Sequence, residues 1–252
     1  MNPTNANHRR IVLITGASRG IGATTAQRLA APDTHVVINY REKAKRALAV
    51  VDAITAAGGS ASAISADLSD LAQVTAMLGT VADQFGHLDA LVLNASGGLE
   101  RSAEPGYALQ LNRDAQVRLA TLALPLMPAG GQVVFVTSHQ AHFHHRGRPL
   151  PHGYEPIAIS KRAGEDALRA LIPEFLDHEI GFVVVSGDMI DGTIIVRLLE
   201  RRDADAVATR RTSGPLPTID VFAEAIVRAI DAPVPHGHTF YVGGSDYLAS
   251  ST

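Results

Sequence analysis

The chain has 252 residues, of which 46% are hydrophobic and 19% charged, a composition typical of a globular protein with a sizeable core. Its formal net charge of −3, with no basic block, gives no indication of a nucleic-acid or anionic-membrane partner. The absence of cysteine excludes disulfides, thiolate metal sites and cysteine nucleophiles.

Residues 1–9 are polar and lack the apolar core of a signal peptide, and we expect them to form a loose N-terminal tail. No apolar run is long enough to span a bilayer, so we expect a cytoplasmic protein. After the tail, short apolar runs typical of buried strands alternate with segments of helical periodicity. The predicted strands are residues 11–14, 35–39, 60–66, 88–93, 132–136, 181–185 and 239–242. The predicted helices are residues 23–31, 41–57, 70–86, 105–127, 157–177, 193–201 and 219–230.

This alternation predicts an α/β fold of the Rossmann type, a doubly wound, mostly parallel seven-stranded sheet with helices on both faces. No linker, composition break or internal repeat divides the sequence, so residues 1–252 are predicted to form a single dinucleotide-binding domain. Ligands in such sheets bind beyond the carboxyl ends of the strands. The residues that directly follow each strand are therefore the candidate site residues.

The first strand runs into a glycine-rich turn, Thr15-Gly16-Ala17-Ser18-Arg19-Gly20-Ile21-Gly22. Gly16, Gly20 and Gly22 suit a dinucleotide-binding turn, since one permits the tight bend, one the approach of the backbone to a pyrophosphate, and one the close packing of helix on strand. The free N–H groups at the start of the following helix supply partial positive charge for the phosphates. The alternative is an ordinary strand–helix turn.

The same segment resembles the T-G-x-x-x-G-x-G cofactor signature of the short-chain dehydrogenases/reductases. The resemblance implies a nicotinamide dinucleotide bound at this turn. A second match is Asn94-Ala95-Ser96-Gly97, which resembles the N-A-G-G signature of the family and implies contacts on the adenosine side of the cofactor. The cofactor-binding residues implied by the two motifs are Gly16, Ser18, Arg19, Gly20, Ile21, Gly22, Asn94, Ala95 and Ser96.

The end of the second strand bears on which cofactor binds. NAD-binding proteins commonly have an Asp or Glu there for the ribose 2′-hydroxyl, whereas this chain has Asn39-Tyr40-Arg41. A carboxylate would repel the 2′-phosphate of NADP, and a guanidinium can bind that phosphate with two parallel hydrogen bonds. Arg41, with Tyr40 beside it and Arg19 in the turn, therefore predicts NADP(H). The alternative is that Arg41 only begins a solvated helix.

Four further cofactor contacts, Asp67, Leu68, Ile190 and Thr193, are implied by resemblance. Asp67, with Leu68 beside it, matches the acid of the family that contacts the adenine, and the alternative role of Asp67 is that of a turn or cap residue. Ile190 and Thr193 follow the sixth strand, where the family contacts the carboxamide and phosphates, although the expected proline is absent and the segment is longer. Residues 188–217 are expected to form a substrate lid.

The resemblance also assigns catalytic positions. Asn112, Ser138 and Lys161 match the residues that the family uses to hold a water, to position the substrate oxygen, and to bind the nicotinamide ribose while lowering the pKa of a tyrosine. The tyrosine of the family precedes the lysine by four residues, but this position is Ile157, which cannot transfer a proton. The nearest tyrosine is Tyr154, seven residues before Lys161.

Pro156 stands between Tyr154 and the lysine and argues against a continuous helix between them. We therefore expect Tyr154 in the loop that leads into the helix. There it either folds back to present its hydroxyl near Ser138 or packs on the surface.

Residues 139–152 contain five histidines and two arginines. One interpretation is that His139 or His142 replaces the tyrosine as the proton donor, because an unperturbed histidine pKa near 6.5 suits that task. A metal site is weakly indicated, since the spacing lacks a partnering carboxylate, and we predict no metal. The remaining interpretation is a polar loop, in which Arg146 and Arg148 either meet an anionic substrate group or are solvated.

These observations predict an NADP(H)-dependent oxidoreductase that reduces a ketone or aldehyde, or oxidises the alcohol, with the proton supplied by Tyr154, a loop histidine or water. The alternatives are a non-catalytic NADP-binding protein with a regulatory or assembly role, and a cofactor-assisted reaction without net redox. The predicted partner is a small-molecule carbonyl or alcohol substrate rather than a nucleic acid or a membrane. The resemblance also implies a homo-oligomer, a dimer or a tetramer.

Overall fold

A computed structural model describes residues 9–99 and 106–249 of the chain. The predicted tail, except for Arg9, and Pro105, the first residue of the predicted helix 105–127, lie outside the described residues. No helix within the described ranges combines the length and the apolar character needed to cross a bilayer.

The described residues contain a seven-stranded sheet whose strand order is β3-β2-β1-β4-β5-β6-β7. Every neighbouring pair of strands is parallel. The strands are β1 (Arg10–Ile14), β2 (Thr34–Tyr40), β3 (Ser60–Ser65), β4 (Ala90–Leu93), β5 (Gln132–Ser138), β6 (Gly181–Gly187) and β7 (His238–Val242). The predicted Rossmann-type, seven-stranded parallel sheet is confirmed.

The helices of the described residues connect these strands. They are α1 (Gly20–Arg28), α2 (Ala44–Ala56), α3 (Leu71–Phe85), α4 (Tyr107–Leu109), α5 (Ala115–Ala123), α6 (His139–His142), α7 (Glu155–Ala170), α8 (Ile172–Asp177), α9 (Ile194–Arg202), α10 (Ala204–Thr212), α11 (Ile219–Asp231) and α12 (Ser245–Leu248). A π-helical turn, Gln110–Asp114, joins α4 to α5. Short 3₁₀ turns occupy Leu124–Leu126 and His144–Arg146.

The central strands of the sheet are buried on both faces, which explains the successive apolar residues in β1, β4, β5 and β6. Alternate residues of a strand point to opposite faces. Leu13 of β1 accordingly packs in a cluster with residues of α3 and α5, whereas Val12 packs in a second cluster with residues of α1 and α11. Because helices cover both faces, the carboxyl edge of the sheet is the place where a ligand can reach the residues that follow the strands.

Two of the predicted helices are interrupted in the structure. The predicted helix 105–127 is interrupted by the π-helical turn, and the predicted helix 157–177 begins at Glu155 and breaks between Ala170 and Ile172. The break has a physical cause: Pro173 lacks an N–H and disfavours helical geometry in the residue before it. Pro156 lies in the first turn of α7, a position where proline is tolerated.

Candidate active site

A cleft of about 810 Å³ lies at the carboxyl edge of the sheet. Residues that follow β1, β2, β3 and β4 line one half of the cleft, and residues at the ends of β5 and β6 line the other half. The start of α7 and the segment leading into α9 complete its wall. This is the location at which doubly wound sheets bind nucleotides.

Most of the predicted cofactor residues line this cleft: Gly16, Ser18, Arg19, Gly20, Ile21, Gly22, Arg41, Asp67, Leu68, Asn94, Ala95, Ser96, Lys161, Ile190 and Thr193. Tyr40 is outside this lining, contrary to its predicted role. It packs, half-buried, against the cluster of α1 and α11, because consecutive residues of a strand point in opposite directions and its neighbour Asn39 faces the cleft.

The glycine turn has a backbone that requires glycine. Gly16 has φ 62°, in the left-handed region that side chains disfavour. A Cβ atom added at Gly22 would lie 2.7 Å from Nδ2 of Asn94 and 2.8 Å from Cα of Ala17. A side chain at either position would therefore displace the turn from the start of α1, whose first residues line the cleft.

Two buried polar residues that sequence reasoning did not single out hold this turn in place. Oγ1 of Thr15 accepts hydrogen bonds of 2.9 Å from the backbone N–H groups of Asn94 and Ala95. Asn39 accepts a bond of 3.3 Å from the N–H of Gly16 and donates one of 3.1 Å to the carbonyl of Ala66. The signal in the sequence is a polar residue at the end of an apolar strand.

Positive charge is concentrated in the half of the cleft that follows β1 to β4, which we call the adenosine half because the sequence motifs predict the adenosine there. Besides Arg19 and Arg41, the cleft is lined by Lys43 and Arg46, which the sequence analysis treated only as helix residues. Nη1 of Arg41 donates to the hydroxyl of Tyr107, which lies on α4. Nε of Arg41 is 3.2 Å from a carboxylate oxygen of Glu42 in a half-exposed pair. The guanidinium is thus held at the mouth of the cleft.

Asp67, after β3, forms a turn and lines the cleft. Oδ1 of Asp67 accepts bonds of 2.9 Å and 2.7 Å from the N–H and the hydroxyl of Ser69, which makes a turn. The residue also lines the cleft. Asp70, and not Asp67, is the N-cap of α3.

The opposite half of the cleft contains Ser138 and Tyr154. Ser138 is the last residue of β5, and its Oγ lies 3.2 Å from the hydroxyl of Tyr154. Tyr154 is the N-cap residue of α7, and its carbonyl accepts bonds from the N–H groups of Ile157 and Ala158. The tyrosine therefore lies at the boundary between loop and helix, with its hydroxyl folded toward Ser138, one of the two placements considered.

Burial shifts the pKa of both titratable groups here, Tyr154 and Lys161. It raises the pKa of Tyr154, and the hydrogen bond with Ser138 acts in the opposite direction. Lys161, which lines the same cleft, is half-buried, and the loss of solvent lowers its pKa to about 8. Ile157, at the family's tyrosine position, is buried in an apolar cluster with Tyr154 and Met189.

Asn112 lies in the π-helical turn, is 1% exposed and is not among the residues lining the cleft. Its Nδ2 donates bonds of 3.0 Å to the carbonyl of Gly97 and to Oγ of Ser160. The side chain thus joins the segment after β4 to α7. Its own carbonyl lies so close to α7 that a Cβ added at Gly164 would be 2.1 Å from the oxygen.

The two histidines proposed as proton donors lie outside the cleft lining. Nδ1 and Nε2 of His139 bond to Oγ of Ser186 at 2.8 Å and to the carbonyl of Gly243 at 3.0 Å. Nδ1 of His142 lies 2.9 Å from Glu165. Their ring nitrogens are engaged in these buried contacts, so neither faces a substrate. No group of three metal-ligating side chains occurs in the described part of the chain.

The two loop arginines bind the C-terminal segment instead of the cleft. Arg146 donates a bond of 2.7 Å to the carbonyl of Tyr247. Arg148 bonds to the carboxylate of Asp246 at 3.0 Å and to its carbonyl at 2.6 Å. The interpretation that they meet an anionic substrate is not supported by this placement.

The predicted lid, residues 188–217, contains α9 and α10 and covers Tyr154. Val196, Leu199 and Val207 pack on the tyrosine's apolar cluster. On α10, Nε of Arg210 bonds to both carboxylate oxygens of Asp188, at 2.9 Å and 2.7 Å. Thr193 is the N-cap of α9, and its Oγ1 donates a bond of 2.8 Å to the carbonyl of Ile190.

Comparisons with known proteins agree with this geometry. Residues 10–203 match the family described as short chain dehydrogenase. The chain is similar to 1-cyclohexenylcarbonyl-CoA reductase of Streptomyces collinus, with 34% identity over 192 residues that make up 74% of this chain and 66% of that protein. It is 47% identical over 135 residues to an uncharacterised oxidoreductase of Methylorubrum extorquens, covering 51% of this chain and 54% of that protein.

The matched segments thus span between about half and two thirds of these relatives. Among solved structures, the fold is similar to a short chain dehydrogenase from Burkholderia cenocepacia in complex with NADP. That similarity has a TM-score of 0.79 and 28% identity and covers 94% of this chain and 98% of that chain. Because the family match extends over well more than half of its residues, the chain belongs to the short-chain dehydrogenase family.

Proposed function

We propose that this short-chain dehydrogenase is an NADP(H)-dependent oxidoreductase that reduces a ketone or aldehyde, or oxidises the alcohol, by hydride transfer. The observation that carries the proposal is the 3.2 Å contact between the hydroxyls of Ser138 and Tyr154 in a cleft that Lys161 also lines. These are the three functional groups that such a reaction needs from the protein.

The cleft fits a dinucleotide phosphate. The turn at Gly16 and Gly22 leaves space that a Cβ atom would fill, and the helix that follows offers its N–H groups to a diphosphate. Arg19, Arg41 and Lys43 line the adenosine half, and the buried residue at the end of β2 is the neutral Asn39. These features favour a 2′-phosphate over a free 2′-hydroxyl. The bound nicotinamide would supply or accept the hydride.

Tyr154 donates the proton in this proposal. In the reduction, its hydroxyl gives a proton to the carbonyl oxygen of the substrate, and the Ser138 hydroxyl donates a hydrogen bond to the same oxygen. Lys161 holds the ribose of the cofactor, and its positive charge stabilises the tyrosinate that remains. Burial raises the pKa of Tyr154, which keeps the phenol protonated until negative charge develops on the substrate oxygen.

The tyrosine therefore works from a position one helical turn earlier than in the family signature. Seven residues of helix extend about 10.5 Å along the axis and four about 6 Å, so Tyr154 starts about 4.5 Å further from Lys161. Its position before the first turn of α7 lets the side chain reach Ser138. Ile157 then contributes only apolar packing.

The wall next to Tyr154 is mostly apolar. Pro151, Met189, Ile195, Val196 and Leu199 line this part of the cleft, together with the charged Asp188 and Arg197. We therefore propose a small-molecule carbonyl compound with an apolar part that packs on this wall. The proposed assembly is a homo-oligomer, as in the family.

A direct test is the oxidation of NADPH, followed by its absorbance, with a panel of ketones and aldehydes. The proposal predicts turnover for wild type and loss of turnover in Tyr154→Phe and Lys161→Ala. Binding of NADPH is measured in parallel by fluorescence. Tight binding of NADPH with no turnover over a broad panel would favour the non-catalytic NADP-binding protein instead.

A further inference from the structure

The histidine-rich segment after Ser138 has no direct role in the proposed chemistry, yet it is firmly built into the fold. We propose that His142 and Glu165 are positioning residues that hold the Ser138 hydroxyl in place relative to the helix that carries Lys161. The proposal rests on the proposed function, because it concerns how the site for the substrate oxygen is kept in shape.

Ser138 belongs to two elements at once. It ends β5 and is the N-cap of α6, where its Oγ accepts a hydrogen bond of 3.3 Å from the N–H of Ala141. The same oxygen is in contact with the hydroxyl of Tyr154. The orientation of the Ser138 hydroxyl therefore depends on the position of α6. A helix of four residues cannot hold that place by its own hydrogen bonds.

His142, the last residue of α6, links it to α7. Its Nδ1 lies 2.9 Å from both carboxylate oxygens of Glu165, which is four residues after Lys161 on the same helix. The backbone carbonyl of His142 also accepts a bond of 2.9 Å from Nη1 of Arg162. Side chain and main chain of one residue are thus both bonded to the helix of the lysine. The Nε2 atom completes the set with a contact of 3.1 Å to the hydroxyl of Tyr241 on β7.

Glu165 is an unusual residue for the face of a helix that packs on a sheet, because its side chain is fully buried. A buried carboxylate is costly unless it is paired and hydrogen-bonded. Burial opposes ionisation, but the bonds from His142 and Arg169 hold the pKa of Glu165 below its usual value. Arg169 donates a bond of 2.9 Å to Oε1. The carboxylate of Glu165, itself bonded to Arg169, therefore fixes the position of His142.

His139 fixes the other end of α6. Its contacts with Ser186 and the carbonyl of Gly243 attach the first residue of α6 to β6 and to the end of β7. The two histidines have different partners, so one can be changed while the other still anchors the segment. His142 is the one that reaches the helix of Lys161.

The test compares His142→Phe with His142→Asn. Phenylalanine keeps the ring packing against Phe143 and Tyr241 but removes both hydrogen bonds, and Glu165 still has Arg169 as a partner. Asparagine can place its Nδ2 donor near the position of the histidine Nδ1. The control is His145→Phe, which changes an exposed histidine of the same segment.

Three quantities are measured for each variant: kcat for the carbonyl substrate, the Kd of NADPH, and the hydrogen exchange of peptides covering residues 138–146. We expect His142→Phe to lower kcat tenfold or more, to leave the Kd of NADPH within twofold of wild type, and to speed exchange in that segment. His142→Asn should recover most of the loss, and His145→Phe should match wild type.

Two results would overturn the inference. The first is faster exchange with kcat unchanged, since His142 would then stabilise the loop without positioning Ser138. The second is a kcat loss that asparagine does not recover or that is accompanied by an equal loss of NADPH affinity. Failure of the proposed function shows differently, as the absence of turnover in wild type. In that case unchanged exchange over residues 138–146 in His142→Phe would exclude the link between α6 and α7, and faster exchange would support it.

Discussion

The hydroxyl of Tyr154 lies 3.2 Å from Oγ of Ser138, although sixteen residues separate them in the chain. This contact is made by a tyrosine that precedes the cleft lysine by seven residues. The contact brings a proton-bearing phenol to the serine at the end of β5. The side chain of Ile157, three residues later, is buried and apolar. The reactivity of the site should therefore depend on Tyr154 and not on Ile157.

Tyr154→Phe removes only the phenol oxygen and should lower kcat by about 10²- to 10⁴-fold, the usual contribution of a general acid. The Kd of NADPH should stay unchanged, since the proposed phosphate contacts are at the other half of the cleft. Steady-state kinetics and fluorescence titration measure the two quantities. An unaltered kcat would mean that another group or water donates the proton.

The adenosine half of the cleft predicts a preference between cofactors. NADPH should raise the melting temperature more than NADH, because only NADPH has a 2′-phosphate for Arg41 to bind. Arg41→Ala should erase that difference and weaken NADPH binding by roughly ten- to hundredfold, the worth of a hydrogen bond to a charged group. Equal stabilisation of wild type by both cofactors would reject the assignment of NADP(H).

Tyr107 offers a finer test of the same site. Its hydroxyl accepts a bond from Nη1 of Arg41 across the mouth of the cleft. Tyr107→Phe should weaken NADPH binding less than Arg41→Ala does and leave NADH binding unchanged, because the guanidinium remains but loses a partner that orients it. Binding of both cofactors by fluorescence decides this. An equal loss for NADH would mean that Tyr107 contacts a part that both cofactors share.

Much of the fold could be predicted from the sequence because its signals are local. Residues 11–14 of β1 and 182–185 of β6 are apolar at every position, as strands buried on both faces require. The helix α10 was missed because its sequence is polar and arginine-rich. It is held by the cap at Asp203 and by the bond between Arg210 and Asp188, which are 22 residues apart. Such a helix depends on partners that no local pattern reveals.

The same distinction applies to the site. The glycine turn and Lys161 could be identified because their motifs are contiguous. The direction of Tyr154 could not, because it is set by the contact with Ser138 and by packing against residues distant in sequence, such as Met189 and Val196. The roles of His139 and His142 also depend on distant partners: Ser186 is 47 residues from the first, and Glu165 is 23 residues from the second. A histidine-rich run therefore did not distinguish a proton donor from a structural anchor.

Lys161 predicts a dependence of stability on pH. Burial lowers its pKa to about 8 in the folded protein, against about 10.5 unfolded, so the unfolded chain binds more protons between these values. The lysine therefore destabilises the fold below pH 8, and this penalty is lost as the pH rises from about 8 to 10.5. Lys161→Met should raise the melting temperature at pH 7, and the gain should shrink toward pH 10. A constant gain over this range would contradict the shifted pKa.

The ion pair of Arg210 predicts how α10 is held on the rest of the fold. Arg210→Ala leaves the buried carboxylate of Asp188 without its guanidinium partner, and breaking such a pair typically costs about 3–5 kcal/mol. The matched control is Arg211→Ala, whose exposed bonds to Asp191 and Glu200 are each worth about 0–1 kcal/mol. Chemical denaturation measures both.

Arg210→Ala and Arg211→Ala should also differ in the KM for the carbonyl substrate. Because α9 and α10 pack on the apolar cluster of Tyr154, loosening α10 should raise the KM for the carbonyl substrate at least several-fold while the Kd of NADPH is retained. Arg211→Ala should leave both constants unchanged. If Arg210→Ala instead weakens NADPH binding and leaves the KM of the substrate alone, the segment 188–217 serves the cofactor rather than covering the substrate.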